Sequence, residues 1–317
     1  MQISTVHFEY TTDCNSRCAM CDYWKSGSSL EIRNGTVKSA FASLMPLGLK
    51  KAYFTGGECL LHAEHLFSIC SEIRSAYPEL ELGLITNGIL LEKYAYEIGR
   101  IFSKVIVSLD TVDREKYMKI RGVDALPGIQ RGIHSLRELY PDMRINLRML
   151  VLNDTVEDIL PVIQYAVQEK LHHVSFLPED VNSGTAFGRR QSAEIVSHHT
   201  AECLAHLRQI IDELQDQHSA LFGNILPRAC TDLEYIYSVY TGSPRNHMKC
   251  NKAEKSCVIN ADGTVNPCFF IRSEQSIACG KQVTDVLESE MYRALVSAIQ
   301  ANQHAACRNC ACPKELS

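Results

Sequence analysis

The chain has 317 residues, of which 45% are hydrophobic and 22% are charged, and its formal net charge at pH 7 is −5. This size and apolar content suffice for one large or two modest domains with a proper core. A net negative chain gives no electrostatic reason to expect nucleic acid. No apolar run is long enough to span a bilayer and no signal peptide precedes the first predicted strand, so we expect a cytoplasmic protein with no membrane partner.

Strand-like and helix-like segments alternate through the first half of the chain, in the rhythm of βα units. The predicted strands cover residues 3–10, 51–55, 81–86, 104–109, 144–152 and 173–177. The predicted helices cover residues 35–45, 63–77, 92–102, 129–140 and 156–170. Six such units predict an α/β fold, a partial (β/α)6 TIM barrel with its chemistry at the carboxyl ends of the strands.

The rest of the chain divides into a bridge and a small C-terminal unit. Residues 1–181 are the predicted barrel domain, 182–245 a helical bridge with helices over 193–217 and 230–240, and 246–317 the C-terminal domain. In that last domain Asp262-Gly263 stands between two apolar stretches and predicts a β-hairpin. We therefore expect a cysteine-rich β-hairpin-plus-helix domain at the end of the chain.

Three of the 14 cysteines follow the first predicted strand in the pattern Cys14-x3-Cys18-x2-Cys21. Three thiolates can hold three irons of a [4Fe–4S] cluster and leave the fourth iron open for a substrate or cofactor. The alternatives are a zinc site that lacks one ligand and ordinary buried thiols. The length of the chain and the clustered spacing favour metal thiolates in a reducing compartment over a disulfide framework.

A second motif, Gly56-Gly57-Glu58, follows the second predicted strand. Two glycines permit a close backbone approach, and a carboxylate suits a cation. With the cysteine triplet in front of this motif, residues 3–180 resemble the radical S-adenosylmethionine (SAM) superfamily. The resemblance implies that the triplet holds the [4Fe–4S] cluster that binds SAM. It also implies that the Gly-Gly-Glu segment meets the SAM ammonium group.

The resemblance implies further SAM contacts at the ends of the third and fourth strands. Thr86-Asn87 closes strand three, and Ser108 and Asp110 end strand four, where the family contacts the ribose and methionine portions of SAM. Arg121 matches an arginine that meets the SAM carboxylate, with a solvated surface arginine as the alternative.

The C-terminal cysteines include Cys250-x17-Cys268 and a distant Cys307-x2-Cys310. This pattern resembles the twitch auxiliary domain of radical SAM enzymes, and Gly263-x4-Cys268 matches the start of the longer SPASM motif. The resemblance implies that these four cysteines hold a second [4Fe–4S] cluster. The spacing of four cysteines alone also allows structural zinc.

Several cysteines and histidines stand outside these patterns. Cys257 and Cys312 are additional to the four cysteines that the second cluster requires. For each of them a substitute ligand, a buried thiol and a reactive group are the alternatives. Cys59 stands where the family usually has proline, and Met20 where it usually has an aromatic residue. Four other cysteines belong to no ligand motif, and we expect them to be inert: Cys70, Cys203, Cys230 and Cys279. Two histidine pairs, His62/His65 and His198/His199, are spaced like metal ligands, but neither pair has a third ligand. We expect these residues to be exposed helical histidines.

The resemblance implies reductive cleavage of SAM to a 5′-deoxyadenosyl radical, with an electron from an external reductant such as flavodoxin or ferredoxin. That radical removes hydrogen from a substrate C–H bond. Electron transfer to the second cluster gives two-electron oxidation, whereas hydrogen returned by a thiol gives epimerisation. Cys257 and Cys59 are the candidate catalytic thiols.

The twitch pattern resembles the group of 2-deoxy-scyllo-inosamine dehydrogenase and neomycin C epimerase, which implies an amino sugar or aminocyclitol from antibiotic biosynthesis. We expect such a small molecule rather than a peptide because the chain begins directly with the barrel. Four acidic residues are candidates to bind its ammonium groups: Glu179, Asp180, Asp232 and Glu234. The alternative is that they form a solvated acidic surface. The alternatives are a peptide-modifying radical SAM enzyme and a two-cluster electron carrier or iron–sulfur sensor, which has no use for an ammonium site.

Overall fold

The computed structural model of the chain describes residues 1–25, 27–180, 199–217, 226–242, 250–277, 280–308, 310 and 312. The strands are β1 (Thr5–Thr11), β2 (Lys51–Gly56), β3 (Glu81–Thr86), β4 (Lys104–Ser108), β5 (Arg144–Val151), β6 (His173–Pro178), β7 (Ser256–Asn260) and β8 (Val265–Asn266). The helices are α1 (Asn34–Leu44), α2 (Ala63–Ala76), α3 (Leu91–Ile101), α4 (Arg114–Arg121), α5 (Leu126–Leu139), α6 (Ile159–Gln168), α7 (Ala201–Gln217), α8 (Leu226–Tyr240), α9 (Lys252–Lys255), α10 (Val283–Glu288), α11 (Glu290–Gln300) and α12 (Ala305–Arg308).

The predicted barrel elements are confirmed, and one helix was missed. Strands β1 to β6 are all parallel to their neighbours, in the order β6-β5-β4-β3-β2-β1. Helix α4, between β4 and α5, was not predicted because only Tyr117 and Ile120 of its mostly charged residues are buried. The sheet has free edges at β6 and β8, so the predicted partial barrel is confirmed.

Alternation along each strand separates a helix-facing side from the interior of the barrel. Phe8 of β1 stacks on Phe54 of β2 at 5.1 Å and on Phe41 of α1 at 5.5 Å, which identifies the helix-facing side. The neighbouring residues His7 and Tyr53 therefore point to the concave side of the sheet, because successive side chains of a strand point to opposite faces. We call this concave side the lumen.

The predicted C-terminal hairpin is confirmed, but it continues the barrel sheet. Strand β7 is antiparallel to β8 and parallel to β1, with Cα partners that run from Thr5 and Ser256 to Glu9 and Asn260. The turn between them uses Gly263 at φ 80°, a conformation that glycine adopts without strain. The sheet therefore has eight strands rather than six plus a detached hairpin.

The two helices of the predicted bridge pack on each other, and α8 also packs on the edge strand β6. Residues 193–198 of the first predicted helix lie outside the described residues, and α8 begins four residues before its predicted start. The carboxylate of Asp232 accepts a hydrogen bond from the backbone N–H of Phe176, at 3.3 Å. Covering an edge in this way satisfies donors that otherwise invite strand pairing. None of the helices in the described ranges has both the length and the apolar content to cross a bilayer.

Candidate active site and auxiliary cysteine group

The three cysteines of the first motif lie in the loop after β1, which we call the cluster loop (residues 12–22). The thiols are close enough to affect one another. Burial raises the pKa of Cys21 to about 12, and the charges of Cys18 and Cys14 add to this effect. Burial also raises the pKa of Cys14. Metal ions must displace these protons, because thiolates and not thiols are the ligands.

Asn87, at the end of β3, holds the first part of the cluster loop. Its side-chain Nδ2 donates to Oδ1 of Asn15 at 2.7 Å and to Oγ of Ser16 at 3.1 Å. The same Nδ2 lies 3.9 Å from the sulfur of Cys14. The amide oxygen accepts from the backbone N–H of Ile89, which fixes the orientation of the group. Asn87 therefore directs an N–H donor at a predicted ligand.

Arg121, at the end of α4, reaches the second cysteine. Its Nη1 lies 3.8 Å from the sulfur of Cys18, and its Nε donates to Oδ2 of Asp110 at 2.6 Å. Asp110 is fully buried, and its other oxygen accepts from the backbone N–H of Leu150. The Arg121 side chain is only 12% exposed, so it is not the solvated arginine of the alternative interpretation.

The helix that the sequence analysis missed also anchors the cluster loop. The backbone carbonyls of Ile120 and Arg121 accept hydrogen bonds from the N–H groups of Ala19 and Arg17, at 3.0 and 2.9 Å. Carbonyls in the last turn of a helix have no partner within it, so they are available to a neighbouring segment. Helix α4 thus fixes the middle of the loop on both sides of the second cysteine, Cys18.

The glycine pair brings the end of β2 against the cluster loop. The N–H of Gly57 donates to the carbonyl of Thr11 at 2.7 Å, and the N–H of Glu58 donates to that of Asp13 at 2.6 Å. A Cβ atom would lie 2.5 Å from the Thr11 oxygen at position 56 and 2.0 Å from the Asp13 oxygen at position 57. Only glycine fits so close to another backbone.

The carboxylate of Glu58 is 1% exposed and is surrounded by donors of the protein. It accepts from Oγ1 of Thr86 at 2.8 Å, from the N–H of Asn87 at 2.7 Å and from the N–H of Leu60 at 3.2 Å. Burial raises its pKa, although these hydrogen bonds oppose the change. Glu58 therefore joins β2 to β3 beneath the loop. Its predicted contact with the SAM ammonium group stays a prediction, as do those of Thr86 and of Ser108, the last residue of β4.

Both candidate catalytic thiols lie in the hydrophobic core. Cys59 is fully buried, and its sulfur lies 2.9 Å from the carbonyl oxygen of Thr55. Cys257 is also fully buried, and its Cα partner on β1 is Val6, a residue of the helix-facing side. Burial raises the pKa of Cys257 to about 12. Neither thiol is placed in the lumen, where a hydrogen donor would have to meet a substrate.

His62 and His65 find their partners among carboxylates. Nε2 of His62 lies 2.9 Å from Asp13, and its Nδ1 lies 3.0 Å from Glu31. His65 contacts the other oxygen of Glu31 at 3.1 Å. These contacts attach the start of α2 to the cluster loop. In the described ranges no three His, Cys, Asp or Glu side chains converge as ligands of a single metal ion.

Five C-terminal thiols lie close enough for their charges to affect one another's pKa, and we call them the auxiliary group: Cys250, Cys268, Cys307, Cys310 and Cys312. The four predicted ligands are therefore together, and Cys312 is the fifth member. Cys312 accepts a hydrogen bond from Nζ of Lys252 at 2.8 Å. The hydroxyl of Tyr235 donates to the carbonyls of Cys310 and Cys312, at 2.5 and 3.0 Å, which fixes this segment against α8. A group with at least four thiols can supply the ligands of an iron–sulfur cluster.

The acidic residues near the bridge are engaged in structural contacts. Glu234 forms a salt bridge with Arg208 at 2.9 Å between α8 and α7, and Asp232 caps the β6 edge as described above. Glu179 and Asp180 are buried. The contacts of Asp232 and Glu234 contradict the idea of a solvated acidic face, and they occupy carboxylates that were candidates for a substrate ammonium group.

The residues outside the motifs have the positions expected of structural groups. Cys70 and Cys203 are buried and Cys230 is half-buried. His199 is not an exposed helical histidine, because its ring stacks on Tyr240 at a centroid distance of 3.4 Å. The predictions for His198 and Cys279 concern positions that lie outside the described residues.

Two parts of the chain match models of known families. Residues 8–166 match the model of the radical SAM superfamily, and residues 250–311 match that of SPASM, an iron–sulfur cluster-binding domain. The first range covers β1 to α6 with the cluster loop, and the second covers the auxiliary group from Cys250 to Cys310.

Two relatives are named for the same activity. The chain is 34% identical to a probable GTP 3′,8-cyclase of Archaeoglobus fulgidus over 166 residues, which are 50% of this chain and 54% of the relative. It is 26% identical to the GTP 3′,8-cyclase of Mycobacterium sp. (strain KMS) over 284 residues, 84% of this chain and 75% of the relative. The first alignment thus spans about half of the archaeal protein.

Two solved structures share the fold at low sequence identity. Native anSMEcpe with bound AdoMet and the Cp18Cys peptide superposes with a TM-score of 0.70 at 18% identity, over 98% of this chain and 88% of that one. BtrN in complex with AdoMet and 2-DOIA superposes with a TM-score of 0.50 at 16% identity, over 98% and 93%. At these identities the likeness is one of fold.

Proposed function

The chain belongs to the radical SAM superfamily, and on that premise we propose that it removes a hydrogen atom from a C–H bond of a small polar substrate held in the lumen. Its cofactors are SAM and two [4Fe–4S] clusters. When bound, these groups supply a 5′-deoxyadenosyl radical and one-electron transfer. The observation that carries the proposal is the cluster loop, whose Cys14 and Cys18 sulfurs both face N–H donors, from Asn87 and Arg121.

In this proposal the cysteine triplet holds the first cluster, and the protein around it supplies the second layer of contacts. Hydrogen bonds to ligand sulfurs are one means by which a protein sets the potential of such a cluster. Asn87 and Arg121 direct donors at two of the three sulfurs, and both side chains are themselves fixed by hydrogen bonds. A rigid loop keeps the three thiols in place before any metal binds.

Arg121 is the residue that we assign to the SAM carboxylate. Its guanidinium is held beside Cys18 by Asp110, which leaves N–H groups available in a fixed orientation. A guanidinium binds a carboxylate through two parallel hydrogen bonds. The peptide groups of Gly56 and Gly57, together with Thr86, Asn87 and Ser108 at neighbouring strand ends, are the proposed contacts of the remaining parts of SAM.

The auxiliary group holds the second cluster, on Cys250, Cys268, Cys307 and Cys310. For an amino sugar or aminocyclitol we propose two-electron oxidation rather than epimerisation as the outcome. Epimerisation needs a thiol that can return hydrogen to the substrate, and both candidates for that role, Cys59 and Cys257, are buried in the hydrophobic core. The first electron comes from an external reductant of the flavodoxin or ferredoxin type.

Two classes of small substrate are supported to different degrees. A nucleotide is supported by the GTP 3′,8-cyclases, one of which aligns with 84% of this chain. The proposal of an amino sugar or aminocyclitol is based on the twitch-like cysteine spacing. However, two of the four acidic residues expected to bind its ammonium groups form other contacts. We therefore place the nucleotide first.

The test is turnover by the anaerobically reconstituted protein with SAM and dithionite. Chromatography measures 5′-deoxyadenosine, and mass spectrometry measures the change in mass of the substrate. GTP and 2-deoxy-scyllo-inosamine are the two candidate substrates. We expect one candidate to stimulate 5′-deoxyadenosine formation. An amino sugar or aminocyclitol should lose two hydrogens. A nucleotide that closes a ring between two of its own positions, as the name of the relatives describes, should keep its mass after one electron and one proton return to it, and should carry no solvent deuterium on carbon. A product of unchanged mass that gains deuterium from the solvent would indicate epimerisation. Failure to bind SAM or to form 5′-deoxyadenosine would leave the electron carrier or sensor as the better interpretation.

A further inference from the structure

The lumen next to β7 contains a histidine with one nitrogen that lacks a partner. His7 stacks on Tyr53 at 5.2 Å and meets the edge of Phe269 at 4.9 Å, so its ring is held between two aromatic side chains. Its Nδ1 is shielded from solvent and has no hydrogen-bond partner among the described residues. A shielded polar atom without a partner costs free energy, and such atoms are rare in native proteins. A ligand that accepts or donates at this nitrogen would remove that cost.

Two cations act on this histidine from different elements. Arg148 points into the lumen from β5, since its neighbours Leu147 and Met149 belong to the hydrophobic core. Lys252 lies in α9, just before β7, and its Nζ also donates to the sulfur of Cys312 at 2.8 Å. Together with burial, which is the largest effect, the charges of Arg148 and Lys252 lower the pKa of His7 to about 3. The imidazole is therefore neutral, and two cationic side chains lie near enough to affect its pKa.

We propose that His7, Arg148 and Lys252 form a subsite for an anionic group of the substrate, a phosphate or a carboxylate. This inference rests on the proposed function, because it takes the lumen to be the substrate site. An arginine suits either oxyanion, since its planar guanidinium can form two parallel hydrogen bonds with it. Lys252 adds a point charge, and His7 supplies a hydrogen bond from its nitrogen.

The opposite charge is poorly suited to this place. An ammonium group would stand beside two cations, and like charges in a region shielded from water repel strongly. Glu9 is the acidic group nearest along β1, but its carboxylate already accepts a hydrogen bond from the hydroxyl of Tyr23 at 2.5 Å, and burial raises its pKa. A substrate with donor groups can place them at Asn260, whose side-chain oxygen has no hydrogen-bond partner within the described ranges and whose Cα pairs with that of Glu9 across β7 and β1.

The test compares matched ligands that differ in the anionic group alone. The reconstituted protein is titrated with GTP and guanosine, with glucosamine 6-phosphate and glucosamine, and with glucuronate and glucose, by equilibrium dialysis. We expect at least one anionic member to bind about tenfold or more tightly than its neutral counterpart, the effect of one charge-assisted hydrogen bond. The first two pairs test phosphate, and the third tests carboxylate.

The variants separate a local site from the general charge of the protein. Arg148→Gln should remove the preference for the anionic member, and Arg148→Lys should retain part of it. Arg144→Gln removes a cation from the same strand, where Arg144 pairs with Glu81 at 2.7 Å, and it should leave the preference within about twofold. Equal binding of anionic and neutral members by the wild type, or an undiminished preference in Arg148→Gln, would overturn the subsite.

A separate readout distinguishes this inference from the proposed function. SAM cleavage without substrate should persist in Arg148→Gln, because Arg148 is not among the proposed ligands of SAM or of either cluster. Lost anion preference with retained 5′-deoxyadenosine formation supports the subsite. Wild-type protein that prefers anions but never forms 5′-deoxyadenosine would retain the subsite and refute the proposed function.

Discussion

Arg121 and Asp110 form a buried ion pair beside the cluster loop, with Nη2 of the arginine 2.6 Å from Oδ2 of the aspartate. The pair connects the end of α4 to the residues after β4, and the backbone N–H of Leu150 completes the shell of the carboxylate. Breaking such a pair leaves an uncompensated buried charge, whereas replacing both partners by neutral groups does not. This difference allows the structural and the binding roles of Arg121 to be separated.

Arg121→Gln should lower the free energy of unfolding by about 3 kcal/mol or more, because it leaves Asp110 charged and buried. The double variant Asp110→Asn/Arg121→Gln should recover most of that stability, since its two amides can still hydrogen-bond. SAM affinity should stay at least about tenfold below wild type in both variants, because the guanidinium is absent from both. Urea unfolding and equilibrium dialysis of SAM measure the two quantities. Recovery of SAM binding in the double variant would show that Arg121 acts through the fold alone.

Alanine at Cys14, Cys18 or Cys21 should abolish 5′-deoxyadenosine formation and remove one cluster, about four iron atoms per chain. Iron and sulfide analysis with chromatography of the nucleoside measures this. Cys70→Ala is the matched control, since Cys70 is fully buried in α2 and belongs to neither thiol group. Any triplet variant that still cleaves SAM would contradict the assignment.

The barrel was predictable because each of its strands is a short apolar run bounded by a helix pattern. The pairing of β7 with β1 was not, because it joins residues about 250 positions apart, such as Thr5 and Ser256, and no local pattern encodes such a contact. Helix α4 was missed for the opposite reason. Its local pattern is weak, and its position is fixed by the two buried residues and by the cluster loop that it anchors.

The chemistry of the site was predictable where spacing is diagnostic. The cysteine motifs have that property, because both fall within ranges that match family models of iron–sulfur proteins. Lys252, Arg148 and His7 have no such signal, because single polar residues on a strand or a short helix are typical of any protein surface. Only the folded sheet shows that His7 and Arg148 stand on the lumen side of β1 and β5, and that Lys252 precedes β7. The glycine pair indicates a close backbone approach, but its partners, Thr11 for Gly56 and Asp13 for Gly57, are known only from the folded structure.

The auxiliary group has five thiols for four ligand positions, and single substitutions should identify the surplus one. Cys268→Ala and Cys310→Ala should each lose one cluster's iron, about four atoms per chain. Cys312→Ala should retain the iron, with a changed cluster spectrum because the contact with Lys252 is lost. Cys257→Ala, on the helix-facing side, is the control and should retain both iron and spectrum. Iron loss in Cys312→Ala would revise the ligand set, and zinc recovered in place of iron would make the site structural.

Gly57→Ala should disturb the cluster loop, because its Cβ would lie 2.0 Å from the carbonyl oxygen of Asp13. The backbone must move to relieve this contact, and we expect a loss of about 1–3 kcal/mol in unfolding free energy together with reduced cluster incorporation. Gly128→Ala is the matched control, since its nearest neighbour would be the end of the Arg131 side chain at 3.6 Å. In α5 that change should stabilise slightly, as alanine favours helices. Thermal unfolding and iron analysis test both, and normal iron content in Gly57→Ala would contradict the role of the close approach.

His7 should make the protein less stable as the pH falls. Burial and the charges of Arg148 and Lys252 lower its pKa in the folded state to about 3, whereas the unfolded chain has a value of about 6.5. Between these values the unfolded chain binds a proton that the folded protein does not bind, so the free energy of unfolding decreases as the pH decreases through this window. His7→Gln should reduce that decrease between pH 7 and pH 5, measured by urea unfolding at matched ionic strength. His134→Gln, at an exposed position on α5, controls for the loss of an imidazole elsewhere. If His7→Gln and wild type lose stability in parallel over this range, the imidazole does not stand in the cationic surroundings that the anion subsite requires.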